Sequence, residues 1–280
     1  MKKAAVIGNP VTHSLSPALH GFWFNEYSVV AEYQAIQLDP AELDTFLDSI
    51  RAGEFLGANV TLPFKEDVFK KMDDLDSAAK ATGAVNTIVA GTGGRLLGRN
   101  TDPEGFLENL KHEVPGFDPA KTRALVLGAG GAARAVVYGL ISASVPKITV
   151  TGRSEKPVTA LLNFFSTPNL TGASWSDKNR LAAESNLIIN ATPLGMEGVE
   201  DVALNLDETP KNTLVYDLVY TPRKTGLLRA AEKAGLKAIG GLGMLIFQAI
   251  PAFETWFGIR PEVDANTYAM LARRINHKDR

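Results

Sequence analysis

The sequence contains no cysteine. This absence excludes disulfide bonds, thiolate metal sites and cysteine nucleophiles, and it fits a reducing compartment. No apolar run approaches the roughly 20 residues that a transmembrane helix needs, and the first one, at residues 4–8, is too short for a signal peptide. We therefore expect a cytoplasmic protein with no membrane partner.

The chain also lacks an excess of charge of either sign, since 29 Lys and Arg residues balance 31 Asp and Glu residues. Without a broad basic surface, a nucleic-acid partner is not expected. Histidine is scarce as well: His13, His20, His112 and His277 show no metal-ligand spacing, so we expect no metal. The sequence therefore predicts chemistry by oxygen and nitrogen groups.

Short apolar runs alternate with amphipathic stretches along the 280 residues, of which 45% are hydrophobic. This alternation predicts the α/β class with mostly parallel sheets, and the length favours two domains. A first series of strands is predicted at residues 4–8, 31–38, 57–61, 84–90 and 95–99, with a helix at 40–51. A second series is predicted at residues 123–127, 147–151, 187–190, 214–218 and 237–239.

Turn-forming residues at 113–119 separate the two series, and beyond residue 241 the pattern is helical, including residues 261–275. We predict an N-terminal α/β substrate-binding and catalytic domain at 1–102 and a Rossmann-type dinucleotide-binding domain at 103–241. The C-terminal helices, at 242–280, are expected to pack back on the first domain.

A glycine turn at residues 123–134 lies between a buried strand and a helix start. In that context Gly128 permits a tight turn, Gly130 lets the backbone approach a pyrophosphate, and Gly131 with Ala132 and Ala133 keeps the helix start slim. Ala133 replaces the third glycine of the common fingerprint, a variant that the fingerprint tolerates. The helix N-terminus offers free amides and partial positive charge to phosphates. Dinucleotide binding is favoured over a turn that only closes the connection.

The end of the next strand distinguishes the two nicotinamide dinucleotides. NAD enzymes usually place an acid there for the ribose 2′-hydroxyl, whereas this chain has Arg153 and Ser154 and no acid. The planar guanidinium can pair a 2′-phosphate, with the serine hydroxyl in support. We predict NADP; the alternative is an arginine that is merely exposed.

Polar side chains in the first domain lie at predicted helix starts. Ser14 and Ser16 precede or begin one helix, and hydroxyls at such a place form a natural carboxylate site, although Ser16 alone would be interpreted as an N-cap. Lys65 lies in a first helical turn, where the helix dipole disfavours a cation. Asp102 ends a predicted strand before a helix and by itself would be interpreted as an N-cap.

Eight motifs in this order resemble those of the shikimate dehydrogenase family. They are Ser-Leu-Ser-Pro at 14–17, Asn-Val-Thr-Leu-Pro-Phe-Lys at 59–65, Ala-Val-Asn-Thr at 84–87, Gly-Arg-Asn-Thr-Asp at 98–102, Gly-Ala-Gly-Gly-Ala-Ala at 128–133, Asn-Ala-Thr-Pro-Leu-Gly-Met at 190–196, Tyr-Asp-Leu-Val-Tyr-Thr-Pro at 216–222 and Gly-Gly-Leu-Gly-Met-Leu-Ile-Phe-Gln at 240–248. One departure is Gly-Arg-Ser at 152–154, where the family often has Asn-Arg-Thr, which removes an amide that could contact adenosine.

The resemblance implies reversible NADPH-dependent reduction of 3-dehydroshikimate to shikimate, a step of chorismate and aromatic amino acid biosynthesis. It implies that Lys65 and Asp102 form the catalytic pair. The implied substrate-binding residues are Ser14, Ser16, Asn59, Thr61, Asn86, Tyr220 and Gln248. The implied NADP-binding residues are Gly128, Ala129, Gly130, Gly131, Ala132, Arg153, Ser154, Thr192, Leu218, Gly241 and Met244.

Two alternatives stay open at this point. A quinate/shikimate dehydrogenase of the same fold could use NAD or NADP, and a non-catalytic ligand-sensing relative would keep the fold without its proton-transfer pair. Arg153 and Thr61 count against the first, and retention of both Lys65 and Asp102 counts against the second. The sequence is compatible with a monomer or a homodimer.

Overall fold

The structure is a computed structural model that describes residues 1–278, with side chains as far as Ile275. The side chain of His277 and the last two residues of the predicted C-terminal segment lie outside the described part. The chain divides into two compact units: the first is Met1–Asp102 with the chain from Leu245 onward, and the second is Pro103–Met244.

The first unit contains one six-stranded sheet. Its strands are β1 (Lys2–Gly8), β2 (Ala31–Gln37), β3 (Gly57–Val60), β4 (Asp74–Leu75), β5 (Thr87–Ala90) and β6 (Leu96–Arg99). Its N-terminal helices are α1 (Ser16–Glu26), α2 (Leu43–Arg51), α3 (Lys65–Phe69) and α4 (Ser77–Thr82). The strand order is β2-β1-β3-β5-β6-β4, and only β5 runs against its neighbours. The predicted mostly parallel α/β sheet is confirmed.

The second unit contains a fully parallel six-stranded sheet. Its strands are β7 (Arg123–Leu127), β8 (Lys147–Gly152), β9 (Leu170–Ser174), β10 (Leu187–Asn190), β11 (Leu214–Asp217) and β12 (Lys237–Gly240). Its helices are α6 (Gly131–Ser142), α7 (Glu155–Phe165), α8 (Lys178–Ala183) and α9 (Gly226–Lys233), preceded by α5 (Asp102–Glu113). The order β12-β11-β10-β7-β8-β9 reverses direction between β7 and β10. At such a switch point, doubly wound sheets bind ligands beyond the carboxyl ends of the strands.

Both faces of this parallel sheet are buried, as its near-continuous apolar strands predict. Alternate residues of one strand enter different cores: Ala124 and Val126 lie in one cluster, and Leu125 and Leu127 in the other. The ends of these strands are therefore held rigidly, and the loops that follow them start from fixed points.

The last two helices are α10 (Leu242–Phe257) and α11 (Ala265–Lys278). In the first unit the indole of Trp256, on α10, donates to the carbonyl oxygen of Ile88 at 3.2 Å, so α10 packs on the first sheet as expected. No helix within residues 1–278 combines the length and apolarity that crossing a membrane requires.

Several predicted bounds were wrong. The strand predicted at 84–90 begins only at Thr87, and the helix predicted at 40–51 begins as a 3-10 turn, Pro40–Glu42, before α2. Strands β4 and β9 were missed because β4 has two residues and β9 buries only Leu170, so neither gives a readable alternation.

Candidate active site

Lys65 and Asp102 meet in the first unit, although 37 positions separate them in the chain. Lys65 is the first residue of α3 and Asp102 the first of α5. The lysine Nζ donates to Asp102 Oδ2 at 2.6 Å, and both side chains are partly exposed. The pair is therefore both fixed and accessible.

Asn86 is the polar centre of this group and is almost fully buried. Its amide nitrogen donates to Asp102 Oδ1 at 2.7 Å, to Thr101 Oγ1 at 2.9 Å and to Gln248 Oε1 at 3.3 Å. Its amide oxygen accepts from the Thr101 backbone N–H and the Thr87 hydroxyl, each at 2.9 Å. These contacts fix which way the amide faces, and hence fix the orientation of the Asp102 carboxylate.

Tyr33, which the sequence analysis did not identify, connects this group to the first helix. Its buried hydroxyl donates to Asn59 Oδ1 at 2.6 Å, and Asn59 Nδ2 donates to Thr87 Oγ1 at 3.1 Å and to the Asn86 carbonyl oxygen at 3.3 Å. Burial raises the pKa of Tyr33, and a hydrogen bond with the Ser16 hydroxyl opposes that rise. A continuous chain of polar side chains thus runs from Ser16 to the lysine–aspartate pair.

The N-cap interpretation of Ser16 was wrong. The N-cap of α1 is Leu15, which makes no side-chain capping bond, and Ser16 is the first helical residue. The Ser16 backbone N–H bonds to Ser14 Oγ at 3.2 Å, so the two serines adjoin each other. Capping therefore does not explain the Ser16 hydroxyl.

The Tyr33 ring packs against a cluster of buried aromatic side chains. His20 is fully buried and stacks on the Tyr33 ring with centroids 3.9 Å apart. Neither ring nitrogen of His20 has a hydrogen-bond partner among the described residues. Burial lowers the pKa of His20 to about 3, so the imidazole is neutral at physiological pH.

The glycine turn of the second unit shows two kinds of glycine. Gly128 has φ +111°, and a Cβ there would lie 2.9 Å from the Ala191 carbonyl oxygen, so the protein itself requires glycine. Gly130 and Gly131 have no positive φ, and a Cβ added at either would meet no protein atom within 4 Å. No protein atom therefore requires glycine at these two positions, and the open backbone there is what a pyrophosphate would need.

Arg153 and Ser154 are exposed where β8 gives way to α7. Arg153 Nη1 lies 3.0 Å from Glu200 Oε1 in an exposed ion pair. The guanidinium that we predicted to bind a 2′-phosphate is therefore paired with a carboxylate in this structure. Nothing in the sequence near Arg153 could have indicated Glu200, because 47 positions separate them.

The other predicted cofactor residues form two groups in the second unit. The Thr192 methyl would lie 3.0 Å from a Cβ at Gly128, so Thr192 borders the glycine turn. At Gly241 a Cβ would collide with the backbone of Leu218, and Leu218 and Met244 pack against the same core cluster. Both groups follow carboxyl ends of parallel strands.

Tyr220 also belongs to the second unit, where it is half-buried. Burial raises the pKa of its phenol, so the hydroxyl stays protonated at neutral pH. No group of three or more histidine or carboxylate side chains among the described residues could hold a metal ion.

Three family models match the chain. A shikimate dehydrogenase substrate-binding domain matches residues 6–88, a shikimate/quinate 5-dehydrogenase domain residues 110–224, and a shikimate 5′-dehydrogenase C-terminal domain residues 241–265. The NADP(+) shikimate dehydrogenase of Brucella abortus (strain S19) is 44% identical over 265 residues, covering 94% of this chain and 91% of that protein.

Solved structures are similar over nearly the full length. The shikimate 5-dehydrogenase of Thermus thermophilus, in complex with NADP(H) and shikimate, has a TM-score of 0.86 and 38% identity, covering 98% of this chain and 100% of that chain. The quinate dehydrogenase of Corynebacterium glutamicum, in complex with NAD, also has a TM-score of 0.86 but 30% identity, with 99% of each chain covered.

Proposed function

We propose a function from one premise: the chain belongs to the shikimate dehydrogenase family. It catalyses the reversible NADPH-dependent reduction of 3-dehydroshikimate to shikimate, a step of chorismate and aromatic amino acid biosynthesis. The observation that carries the proposal is the accessible pair of Lys65 and Asp102, held by the buried amide of Asn86. The predicted resemblance to this family is confirmed.

The substrate-binding residues are assigned by their place around that pair. Ser14 and Ser16 hold the substrate carboxylate at the start of α1, and Thr61, Asn86 and Gln248 contact ring oxygens. The bond between Asn86 and Gln248 supports the last assignment, because it brings the C-terminal helix α10 to the same group.

Two further predicted substrate residues take different roles. Among the described residues, Asn59 bonds to Tyr33, Thr87 and the Asn86 carbonyl oxygen and, unlike Asn86, to neither Asp102 nor Gln248. We therefore assign it to holding its neighbours in place. Tyr220 is assigned to the carboxylate, to which its protonated hydroxyl can donate.

Lys65 is assigned the proton transfer. Asp102 already accepts from two side chains, whereas Lys65 has used only one of its three N–H donors in the pair. In the reduction, Lys65 donates a proton to the carbonyl oxygen as that oxygen becomes a hydroxyl; in the oxidation it accepts the proton back. Asp102 orients the amine and stabilises its positive charge.

The second unit fits NADP(H). Gly130 and Gly131 leave backbone amides open to the pyrophosphate, and Arg153 with Ser154 would hold the 2′-phosphate. The residues that border the nicotinamide half would be Thr192, Leu218, Gly241 and Met244. When bound, the cofactor supplies or accepts the hydride.

One assay tests this function and its alternatives. Purified protein is mixed with shikimate and NADP, and absorbance at 340 nm is followed; reduction of NADP should be fast, and the combination of quinate with NAD much slower. A faster reaction with quinate and NAD would instead make the chain a quinate dehydrogenase. No turnover with any combination would favour the ligand-sensing relative.

Location in the cytoplasm and a monomeric or homodimeric state stay predictions. Fractionation of the source cells and sedimentation of the purified protein test them.

A further inference from the structure

Asp217 is a buried acid that the proposed reaction does not use. It is the last residue of β11, and its side chain is fully buried. Three hydrogen-bond donors meet its carboxylate, and no ion pair found within residues 1–278 includes it. Burial raises the pKa of this carboxyl, and the three hydrogen bonds oppose that rise. Burying a carboxylate without an opposite charge costs free energy, so its retention here invites a functional explanation.

The two carboxylate oxygens hold different segments. Oδ1 accepts from Asn190 Nδ2 at 2.9 Å and from the Val219 backbone N–H at 3.1 Å, and Oδ2 accepts from the Thr225 hydroxyl at 2.6 Å. Asn190 and Asp217 are register partners at the ends of neighbouring parallel strands. The acid therefore fastens the exits of two strands to each other.

Asn190 extends this connection into the loop that follows β10. Its amide nitrogen also donates to the Leu194 carbonyl oxygen at 3.0 Å. Its amide oxygen accepts from the Thr192 backbone N–H at 3.1 Å and from the Thr192 hydroxyl at 2.6 Å. All four hydrogen-bonding positions of the amide are occupied. The hydrogen bonds of Asn190 therefore fix the position of residues 191–194.

The segment between β11 and α9 is fixed at both of its ends. Val219 bonds to Asp217 at one end, and Thr225, which caps α9 by accepting from the Leu228 N–H at 3.3 Å, bonds to it at the other. The two segments also lie against each other, because a Cβ added at Gly195 would be 3.3 Å from the Thr225 side chain. One carboxylate thus sets the positions of both loops.

We propose that Asp217 is a positioning residue that fixes the two loops receiving the nicotinamide half of the cofactor, while the adenosine half binds independently of it. This inference rests on the proposed function, because Thr192 and Leu218, which lie in those loops, are assigned there to the nicotinamide half. The adenosine half depends on Gly130, Gly131 and Arg153, none of which contacts Asp217 in the bonds described above.

The test compares two ligands on the full-length protein. Asp217→Asn keeps the size of the side chain and can still accept from Asn190 and Val219, but it presents an N–H group to Thr225. Calorimetry would measure binding of NADPH and of adenosine 2′,5′-bisphosphate, which lacks the nicotinamide half. We expect the NADPH Kd to rise about 10- to 100-fold, as for loss of one charge-assisted hydrogen bond, and the bisphosphate Kd to change less than twofold.

A matched control is Tyr216→Phe, the preceding residue on β11. Its buried hydroxyl bonds to Asn109, so the variant also loses a buried hydrogen bond but should bind both ligands normally. Equal losses for both ligands in Asp217→Asn, or no loss for either, would overturn the inference.

A second variant keeps the test decisive if Asp217→Asn does not fold. Thr225→Val removes one donor and keeps the acid, and we expect a smaller loss confined to NADPH; an unselective loss or none would overturn the inference. Failure of the proposed function looks different, because the wild-type protein would then bind neither NADPH nor the bisphosphate.

Discussion

The two units hold their candidate functional residues in different ways. In the first unit, chains of side-chain hydrogen bonds end on the groups assigned to the reaction: Asn86 donates to Asp102, which accepts from Lys65. In the second unit, the corresponding buried bonds end on backbone: Asn190 holds the Thr192 N–H and the Leu194 carbonyl, and Asp217 holds the Val219 N–H.

The difference matches what each ligand requires. A hydroxyl that exchanges a proton needs a particular side chain at a particular place, whereas the pyrophosphate of a dinucleotide is recognised by main-chain amides and open space above glycines. Substitutions in the first unit should therefore affect turnover or substrate affinity, and those in the second should affect cofactor affinity.

The largest expected effect is that of Lys65→Ala. Removal of a general acid/base typically costs about 10² to 10⁴ in rate, so kcat for shikimate oxidation should fall by that factor while the Kd for NADP stays unchanged. Stopped-flow or steady-state absorbance at 340 nm measures the first, and calorimetry the second. Lys70→Ala, which removes the exposed lysine at the end of α3 that pairs with Asp67, is the control. Near-normal turnover would refute the assignment.

The sequence was sufficient where the signal is local. The continuous apolar strands of the second unit gave all of its strands except β9, and the strand–glycine–helix order identified the nucleotide turn. The contact of Lys65 with Asp102 is set by the three-dimensional arrangement. Lys65 stood at a helix start where a cation needed explanation, whereas Asp102 looked like an ordinary N-cap and only the family resemblance implied the pair.

The parts that were missed depend on which strands become neighbours. Tyr33, on β2, bonds to Asn59, on β3, because both strands pack beside β1 in the sheet. The two residues are 26 positions apart in the sequence. Nothing in the local pattern of β2 distinguishes this tyrosine from one that simply packs. Glu200 lies in a loop, where periodicity gives no information about partners.

His20 makes the stability of the first unit sensitive to acid. Its pKa is lowered to about 3 in the fold, whereas in the unfolded chain it titrates at about 6.5, so the unfolded state binds more protons below that pH. The stabilisation is present above pH 6.5 and is lost as the pH falls toward 3, by about 2 to 3 kcal/mol between pH 7 and pH 4. Unfolding in urea over this range should show a weaker pH dependence for His20→Phe.

Phe24→Leu supplies the comparison for that measurement. It removes part of a buried ring beside His20 that has no ionisable group, so it should lower stability and keep the pH dependence of the wild-type protein. Parallel pH curves for wild type and His20→Phe would contradict the role of the buried imidazole.

Arg153→Gln should act on the cofactor alone. Loss of a charge-assisted bond to the 2′-phosphate should raise the NADP KM by about 10- to 100-fold and leave the NAD KM within twofold. Arg180→Gln, an exposed arginine of α8 paired with Glu184, is the matched control. An equal rise in KM for NADP and NAD would refute the assignment of Arg153 to the 2′-phosphate.

Tyr33→Phe should weaken substrate binding in the first unit and leave the rate of proton transfer unchanged. Asn59 loses its 2.6 Å donor but keeps its own two bonds, so the shikimate KM should rise by about 2- to 10-fold, as for one lost neutral hydrogen bond, with kcat within twofold. Tyr27→Phe, whose hydroxyl accepts a surface bond from the Glu262 N–H, should leave both constants unchanged. A fall in kcat with an unchanged KM would place Tyr33 in the chemistry instead.

Glu200→Gln is expected to have the smallest effect and the opposite sign. The Glu200 carboxylate lies 3.0 Å from the Arg153 guanidinium and would compete with a 2′-phosphate for it. Because exposed ion pairs are weak and screened by salt, the variant should bind NADP about two- to fivefold more tightly at low ionic strength, and the gain should shrink in concentrated KCl. NAD, which lacks the 2′-phosphate, should bind with unchanged affinity, and Glu184→Gln should change neither cofactor. Equal tightening for NAD would mean that Glu200 acts on the part of the dinucleotide that NAD and NADP share, and not on the 2′-phosphate.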